Sequence, residues 1–276
     1  MTIFTESAPV ATRARQHERR AGRELVLELV FLPLAGLVAR LFLRARIPPS
    51  AVVLANAAAG IGAAVALVRG ELVQAALLLQ MKTLLDNADG RLARISGKVT
   101  LTGRYLDTEA DLVVNAALFA ALVRISGQPW LAIGAFVALT LVLAADFSAS
   151  ELYREARGET GRPPTAAGGR VEQALEAIYR LVFAPQDRLV RSFSARRLER
   201  IFAGRPPADD VILAYHDRLT VTVLANFGLS TQLAVLGVCL VLGVPGAYLW
   251  LVLGCLAVLP ILQLRRERLA RHALAR

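Results

Sequence analysis

The chain has 276 residues, 55% of them hydrophobic, and a mean hydropathy of +0.50, well above that of an average soluble domain. Its formal net charge is +10, carried almost entirely by arginine, because Lys82 and Lys98 are the only lysines. This composition excludes an ordinary soluble domain and points to an integral membrane protein whose basic charge reports topology, with no nucleic acid as partner.

Residues 1–23 form a basic N-terminal tail with no apolar stretch beside a small-residue cleavage site, so a cleaved signal peptide is not expected. Residues 24–47 are long enough to cross a bilayer. Glu28, Pro33 and Arg40, together with the charge distribution, favour a juxtamembrane amphipathic helix lying in the interface, with a seventh span as the alternative. Pro48 and Pro49 then turn the chain into the first span.

A crossing helix needs roughly 20 apolar residues for a hydrocarbon core of about 30 Å. Six stretches qualify: 50–69, 71–91, 104–125, 130–153, 218–241 and 246–264. Short turns at 69–71, 126–129 and 243–246 join them as hairpins. Arg69 and Arg124 flank the turns on one side, while nearly all other basic residues fall on the opposite side, which the positive-inside rule makes cytoplasmic. The expected fold is therefore an all-α integral membrane protein of six transmembrane helices, with an N-terminal juxtamembrane helix and both termini cytoplasmic. Spans one to four occupy 48–153, spans five and six occupy 216–264, and 265–276 is a basic C-terminal tail.

Between the two groups of spans, 154–215 reads as a cytoplasmic amphipathic helical insertion. GETGRPPTAAGG serves as a linker, and apolar residues at helical spacing from Val171 to Val182 and again in RLVRSFSARRLERIF predict two helices. They suit a docked structural hairpin, a cover over a neighbouring site, or a contact with anionic lipid. Cys239 and Cys255 sit in apolar runs and are read as buried thiols without chemistry. Trp130 and Trp250 lie near outer helix ends, where aromatic belts form.

The chemistry concentrates in DNADGRLARISGKVTLTGRYLDTEAD, residues 86–111. Asp86 and Asp89 are three apart near the end of the second span, and Asp107 and Asp111 four apart near the start of the third, so each pair shares a helix face. The spans run antiparallel across a short loop, which lets the four carboxylates converge. Unrelieved, they would repel one another; all-oxygen ligation favours Mg²⁺ or Mn²⁺, and a site for two ions suits phosphoryl transfer on a phosphate or diphosphate ester. Gly90 and Gly103 permit close approach to a ligand, and Arg94 can grip phosphate oxygens. Helix-end salt bridges with Arg91, Arg94 and Arg104 are the plainer alternative.

The run Asp86-x2-Asp89-Gly90-x2-Ala93-Arg94-x8-Gly103-x3-Asp107-x3-Asp111 resembles the signature of the CDP-alcohol phosphotransferases, DxxDGxxARx8GxxxDxxxD, at every defining position. The resemblance implies transfer of a substituted phosphate from a CDP-linked donor, commonly CDP-diacylglycerol, to a small polar alcohol acceptor, with release of CMP. It implies Asp86, Asp89, Asp107 and Asp111 as metal ligands, Asp111 also as general base, and Gly90, Ala93, Arg94 and Gly103 as the nucleotide diphosphate pocket. A homodimer is implied in the same way, while the charge distribution sets the expectation of an active site on the cytoplasmic side of a prokaryotic inner membrane, surrounded by lipid. The first span opens Pro49-Ser50-Ala51-Val52-Val53, where many members have Pro-Asn-x-Val/Ile-Thr.

Asn56, Asn115, Asp146 and Asn226 lie at a shared depth, on the order of 10 Å from the cytoplasmic helix ends. Asp146 and Asn226 are assigned to an acceptor pocket, with His216 and Arg218 at its mouth; helix-to-helix hydrogen bonds and a solvated helix start are the alternatives. A soluble CDP-alcohol donor, a cation transporter and an inactive relative are the competing functional readings.

Overall fold

The structure is a computed structural model and describes residues 22–159, 169–206 and 208–275. Most of the expected basic N-terminal tail, including His17, and the middle of the expected linker lie outside the described residues. Those described are 85% helical and contain no strand.

A π-helical turn, Leu27–Phe31, leads directly into α1 (Leu32–Arg44). There follow α2 (Pro49–Val68), α3 (Leu72–Ile95), α4 (Leu101–Ser126), α5 (Pro129–Glu155), α6 (Arg170–Phe202), α7 (Asp209–Tyr215), α8 (Arg218–Ala225), α9 (Leu229–Val241) and α10 (Pro245–Leu274). The helix starts follow from side-chain chemistry. Proline opens α2, α5 and α10, where its missing N–H costs nothing. Thr100 caps α4 by accepting from Gly103 N at 3.1 Å, and Asp217 caps α8 by accepting from Leu219 N and Thr220 N. Gly70 and Gly127 turn the chain at φ 80° and 64°, a left-handed backbone that costs a residue with a Cβ.

Four stretches are long and apolar enough to cross a membrane: Pro49–Val68, Pro129–Glu155, Asp209–Val241 and Pro245–Leu274. Helices α3 and α4 are long enough, at roughly 36–39 Å, but carry too much charge to qualify by composition. Most of these charges belong to the 86–111 stretch, with Lys82 and Arg124 outside it.

The packing explains how these charges are held. α2 lies against both α3 and α4, and its small residues let the three backbones come close. Ala63, Leu79, Leu118, Leu122, Leu139, Leu236 and Leu249 are nearly or wholly buried in one continuous core. α1 packs on α3, and Leu29 of the π-helical turn with Leu34, Leu37 and Leu41 of α1 are exposed.

In three places the helices differ in detail from the sequence expectation. The insertion forms one 33-residue helix, α6, where two were expected, followed by the short α7. Pro185 lies inside α6 and does not end it, because the helix is docked before the proline through Glu172 and after it through Asp187 and Arg191, contacts that offset the lost hydrogen bond. The expected span 218–241 is divided into α8 and α9. At the division Asn226 donates to Arg23 O at 2.6 Å and accepts from Leu25 N at 3.0 Å, so its amide binds the incoming N-terminal segment. The C-terminal stretch expected as a tail continues α10 to Leu274 and packs on α7, with Arg266 and Glu267 buried and Arg266 donating to Tyr215 O at 2.9 Å.

A Cβ on Gly60 would collide with the Val114 side chain across the α2–α4 contact, whereas one on Gly62 would meet only Leu78 Cδ1 at 3.6 Å. Gly60→Val is expected to destabilise the fold by about 1–3 kcal/mol through overpacking. Gly62→Ala should be neutral or stabilising by up to about 1 kcal/mol. Denaturant-induced loss of helix in detergent micelles measures both.

Candidate active site

α3 and α4 run antiparallel, joined by residues 96–100, and bring the four signature aspartates together. One carboxylate oxygen from each of Asp86, Asp89 and Asp107 falls within 4.8 Å of the other two. Asp89 is 5% exposed, and its Oδ2, like Oδ1 of Asp107, is buried without a hydrogen-bond partner. Buried carboxylate oxygens without donors are costly, and three so close repel one another. An all-oxygen set with unsatisfied lone pairs facing one point fits a hard divalent cation such as Mg²⁺ or Mn²⁺. A cation already meets two of the four signature aspartates, and it is a lysine.

That lysine is Lys82, wholly buried one turn before Asp86. Its Nζ donates to Asp111 Oδ1 at 2.6 Å and stands 4.0 Å from Asp86 Oδ1. Sequence reasoning missed it, counting it only as one of the chain's two lysines. The available signal was its spacing, since Lys82, Asp86 and Asp89 share one face of α3. Asn56 of α2 donates from Nδ2 to Asp86 Oδ1 at 3.1 Å, so this asparagine orients a carboxylate.

The signature's other residues lie beside this cluster. Gly90 follows Asp89, and a Cβ there would stand 3.4 Å from Arg94 Nη1. Arg94, Arg91 and Arg40 surround a small cavity of about 180 Å³ between α1 and α3. Ala93 is half-buried, and Gly103 sits over the Thr100 cap, where a Cβ would be 3.1 Å from Thr100 Oγ1.

A second cavity, of about 270 Å³, opens between α4, α5 and α6. Asp107 and Asp111 line it, joined by Arg104 and Thr108 of α4 and by Ser148 of α5. α6 closes the far side with Tyr179, Phe183, Gln186 and Asp187. It is fastened there by Thr102 Oγ1 donating to Glu172 at 2.6 Å, by Ser148 Oγ donating to Asp187 at 2.9 Å, and by the Arg191–Glu155 ion pair at 3.0 Å.

The profile of the CDP-alcohol phosphatidyltransferase family matches residues 46–182. The chain belongs to this family. It is by that membership a transferase of substituted phosphate groups, and its apolar helices agree with an integral membrane protein. Residues of the chain are 34% identical over 148 positions to a phosphatidylinositol phosphate synthase of Corynebacterium glutamicum, covering 52% of this chain and 66% of that protein's length. They are 28% identical over 187 positions to a phosphatidylinositol phosphate synthase of Streptomyces avermitilis, covering 64% of this chain and 73% of that one. No solved structure shows significant similarity.

The family signature thus lies on one cluster, but the residues assigned from sequence to an acceptor pocket lie elsewhere. None of Asp146, Asn226, His216 and Arg218 lines the cavity that reaches Asp107 and Asp111. Asn226 holds the N-terminal backbone, as described above. His216 is buried with Nδ1 3.0 Å from Arg266 Nη2, and Arg218 is exposed. Asp146 is on α5, next to residues that do line the cavity. The four share a depth, but depth along a helix does not fix the direction a side chain takes around it.

Asp89→Asn removes one charge from the crowded set. The variant is expected to unfold at a higher temperature than the parent in EDTA and to lose the stabilisation that Mg²⁺ gives the parent. That stabilisation amounts to about 2.7 kcal/mol at a hundredfold excess over Kd. Thermal unfolding with and without Mg²⁺ checks both signs.

Proposed function

We propose that this transferase moves a phosphatidyl group from CDP-diacylglycerol to a hydroxyl of an inositol phosphate, releasing CMP and forming a phosphatidylinositol phosphate. The observation that carries the reading is the convergence of the signature aspartates at the floor of a cavity closed by α6. The acceptor is taken from the names of the two relatives, and the cavity wall is compatible with a polyol. Thr108, Thr140, Ser148, Tyr179 and Gln186 offer hydroxyl and amide groups, and Arg104 offers a cation for a phosphate.

In this reading the acceptor oxygen attacks the phosphorus that bears diacylglycerol. The bond from that phosphorus to the bridging oxygen breaks, and CMP leaves with the bridging oxygen. Asp111, on the cavity wall, takes the acceptor proton as general base. Asp86, Asp89 and Asp107 would hold a divalent cation, which supplies charge neutralisation on the phosphate oxygens when bound. Gly90, Ala93, Arg94 and Gly103 would receive the cytidine diphosphate part of the donor.

The same reading places α3 and α4 across the membrane as the second and third of six spans. Their lengths support it, as does the gathering of their acidic residues toward the ends joined by residues 96–100. The exposed leucines of the π-helical turn and α1 support an interfacial N-terminal helix whose lipid-facing side would accept the donor's acyl chains at the membrane edge. Cytoplasmic placement of the active site and the termini, in a bacterial inner membrane, rests on the charge distribution. Homodimer formation rests on the family resemblance.

The test is CMP release by the full chain in nanodiscs containing CDP-diacylglycerol, with inositol 1-phosphate, inositol, glycerol 3-phosphate, serine and choline as acceptors. Release is expected with inositol 1-phosphate and Mg²⁺, and none in EDTA. Asp111→Asn should lower kcat by at least about 100-fold, the size of a lost general base. Release with a different acceptor overturns the inositol phosphate assignment, and no release with any acceptor overturns the phosphatidyl transfer. Gln186→Leu should raise the acceptor KM about fivefold, the equivalent of one hydrogen bond of about 1 kcal/mol, with the donor KM unchanged.

A further inference from the structure

Four carboxylates at one membrane edge suggest two divalent ions, but the side chains are not arranged in that way. Asp86, Asp89 and Asp107 form a set of three around one point, and Asp111 is absent from it. Asp111 is turned to Lys82, whose ammonium is wholly buried 2.6 Å from Asp111 Oδ1. We infer that Lys82 is the resident counter-cation of Asp111, so that this chain's active site holds one divalent ion and one fixed ammonium in place of two ions.

The argument begins with the cost of burying Lys82. An ammonium removed from water persists in the charged form only against an anion, and the anions within 4.0 Å are Asp111 and Asp86. The stem of Lys82 rises along α3 on the face that carries Asp86 and Asp89, one turn away, so the helix itself delivers the charge to the cluster. A second divalent ion ligated by Asp111 Oδ1 would have to stand beside this ammonium, and like charges at such separation repel strongly where water is excluded. Lys82 therefore occupies electrostatically the place that a second metal would take.

This division has a consequence for the reaction. Lys82 is a positioning residue: it fixes one oxygen of Asp111 and leaves the other for the acceptor hydroxyl in the cavity that Asp111 lines. A divalent ion bound at Asp111 would weaken the base more than a single hydrogen-bonded ammonium does, and the ammonium also orients it. The metal-binding carboxylates and the base are thereby separated into two functions on adjacent turns. This inference rests on the metal-dependent transfer proposed above.

The experiment is a Mn²⁺ titration of the full chain in nanodiscs without substrate, with free Mn²⁺ read by electron paramagnetic resonance. One bound Mn²⁺ per chain is expected for the parent and for Lys82→Arg, and two for Lys82→Met. Two ions on the parent overturn the inference while leaving the metal-dependent reading intact. No bound ion overturns both. One ion on a folded Lys82→Met overturns the assignment of the count to Lys82. The parent's stoichiometry decides the central claim even where Lys82→Met does not fold. As a second readout, Lys82→Met should lower kcat at least about tenfold with the donor KM unchanged, and Lys82→Arg should restore it in large part; a change in both KM values with no rescue by arginine would mark Lys82 as merely structural.

Discussion

The constraint on which the structure depends is the crowding of Asp86, Asp89, Asp107 and Asp111 in a place where water cannot dilute their charge. Burying one carboxylate without a partner is already expensive, and three oxygens within 4.8 Å add mutual repulsion. No helix packing would gather them spontaneously. They are gathered because the apolar remainder of α3 and α4 is clamped against α2, whose small residues allow an approach that larger side chains would prevent. Gly60 against Val114 is the point of closest fit. The energy that holds the site together is therefore spread through the apolar core, while the site itself opposes assembly until cations are present.

Three cationic or polar devices temper that opposition. Lys82 enters from α3, Asn56 from α2, and the α4 start is held by its Thr100 cap. Each serves a different carboxylate or the helix that carries it. Around them α1 and α6 enclose the cluster from two sides: α1 brings Arg40 toward Arg91 and Arg94, and α6 closes the cavity that ends on Asp107 and Asp111. The first cavity is lined by arginines of α1 and α3, and the second by Asp107 and Asp111.

Much of this was legible in the sequence because it depends on spacing. The aspartate pairs at three and four residues, and the turns at 69–71, 126–129 and 243–246, are local patterns that helical periodicity converts into position. What was not legible depends on contacts between distant segments. Pro185 would end an isolated helix, and only docking on α4 and α5 carries α6 through it. Asn226 was assigned to an acceptor pocket, but its partner is the backbone of Arg23 and Leu25, some two hundred residues earlier. Lys82 is the intermediate case. Its spacing from Asp86 was visible, but its partner Asp111 lies on another helix, and a lone lysine in an apolar run reads first as a marker of topology.

The boundary of the family match adds a last step. It ends at residue 182, partway along α6, and so includes the four aspartates, Gly90, Arg94, Gly103 and Tyr179 but not Gln186 or Asp187. The groups assigned to the transfer thus lie within the shared region, and part of the wall proposed to touch the acceptor lies beyond it. A chain built in this way can keep one reaction while changing the alcohol it accepts, because α6 is fastened through Glu172, Asp187 and Arg191, none of which belongs to the aspartate cluster. Substitutions on the cavity side of α6 would then alter acceptor choice without disturbing the carboxylates, whereas substitutions at Lys82 or Asn56 would disturb the carboxylates whatever the acceptor.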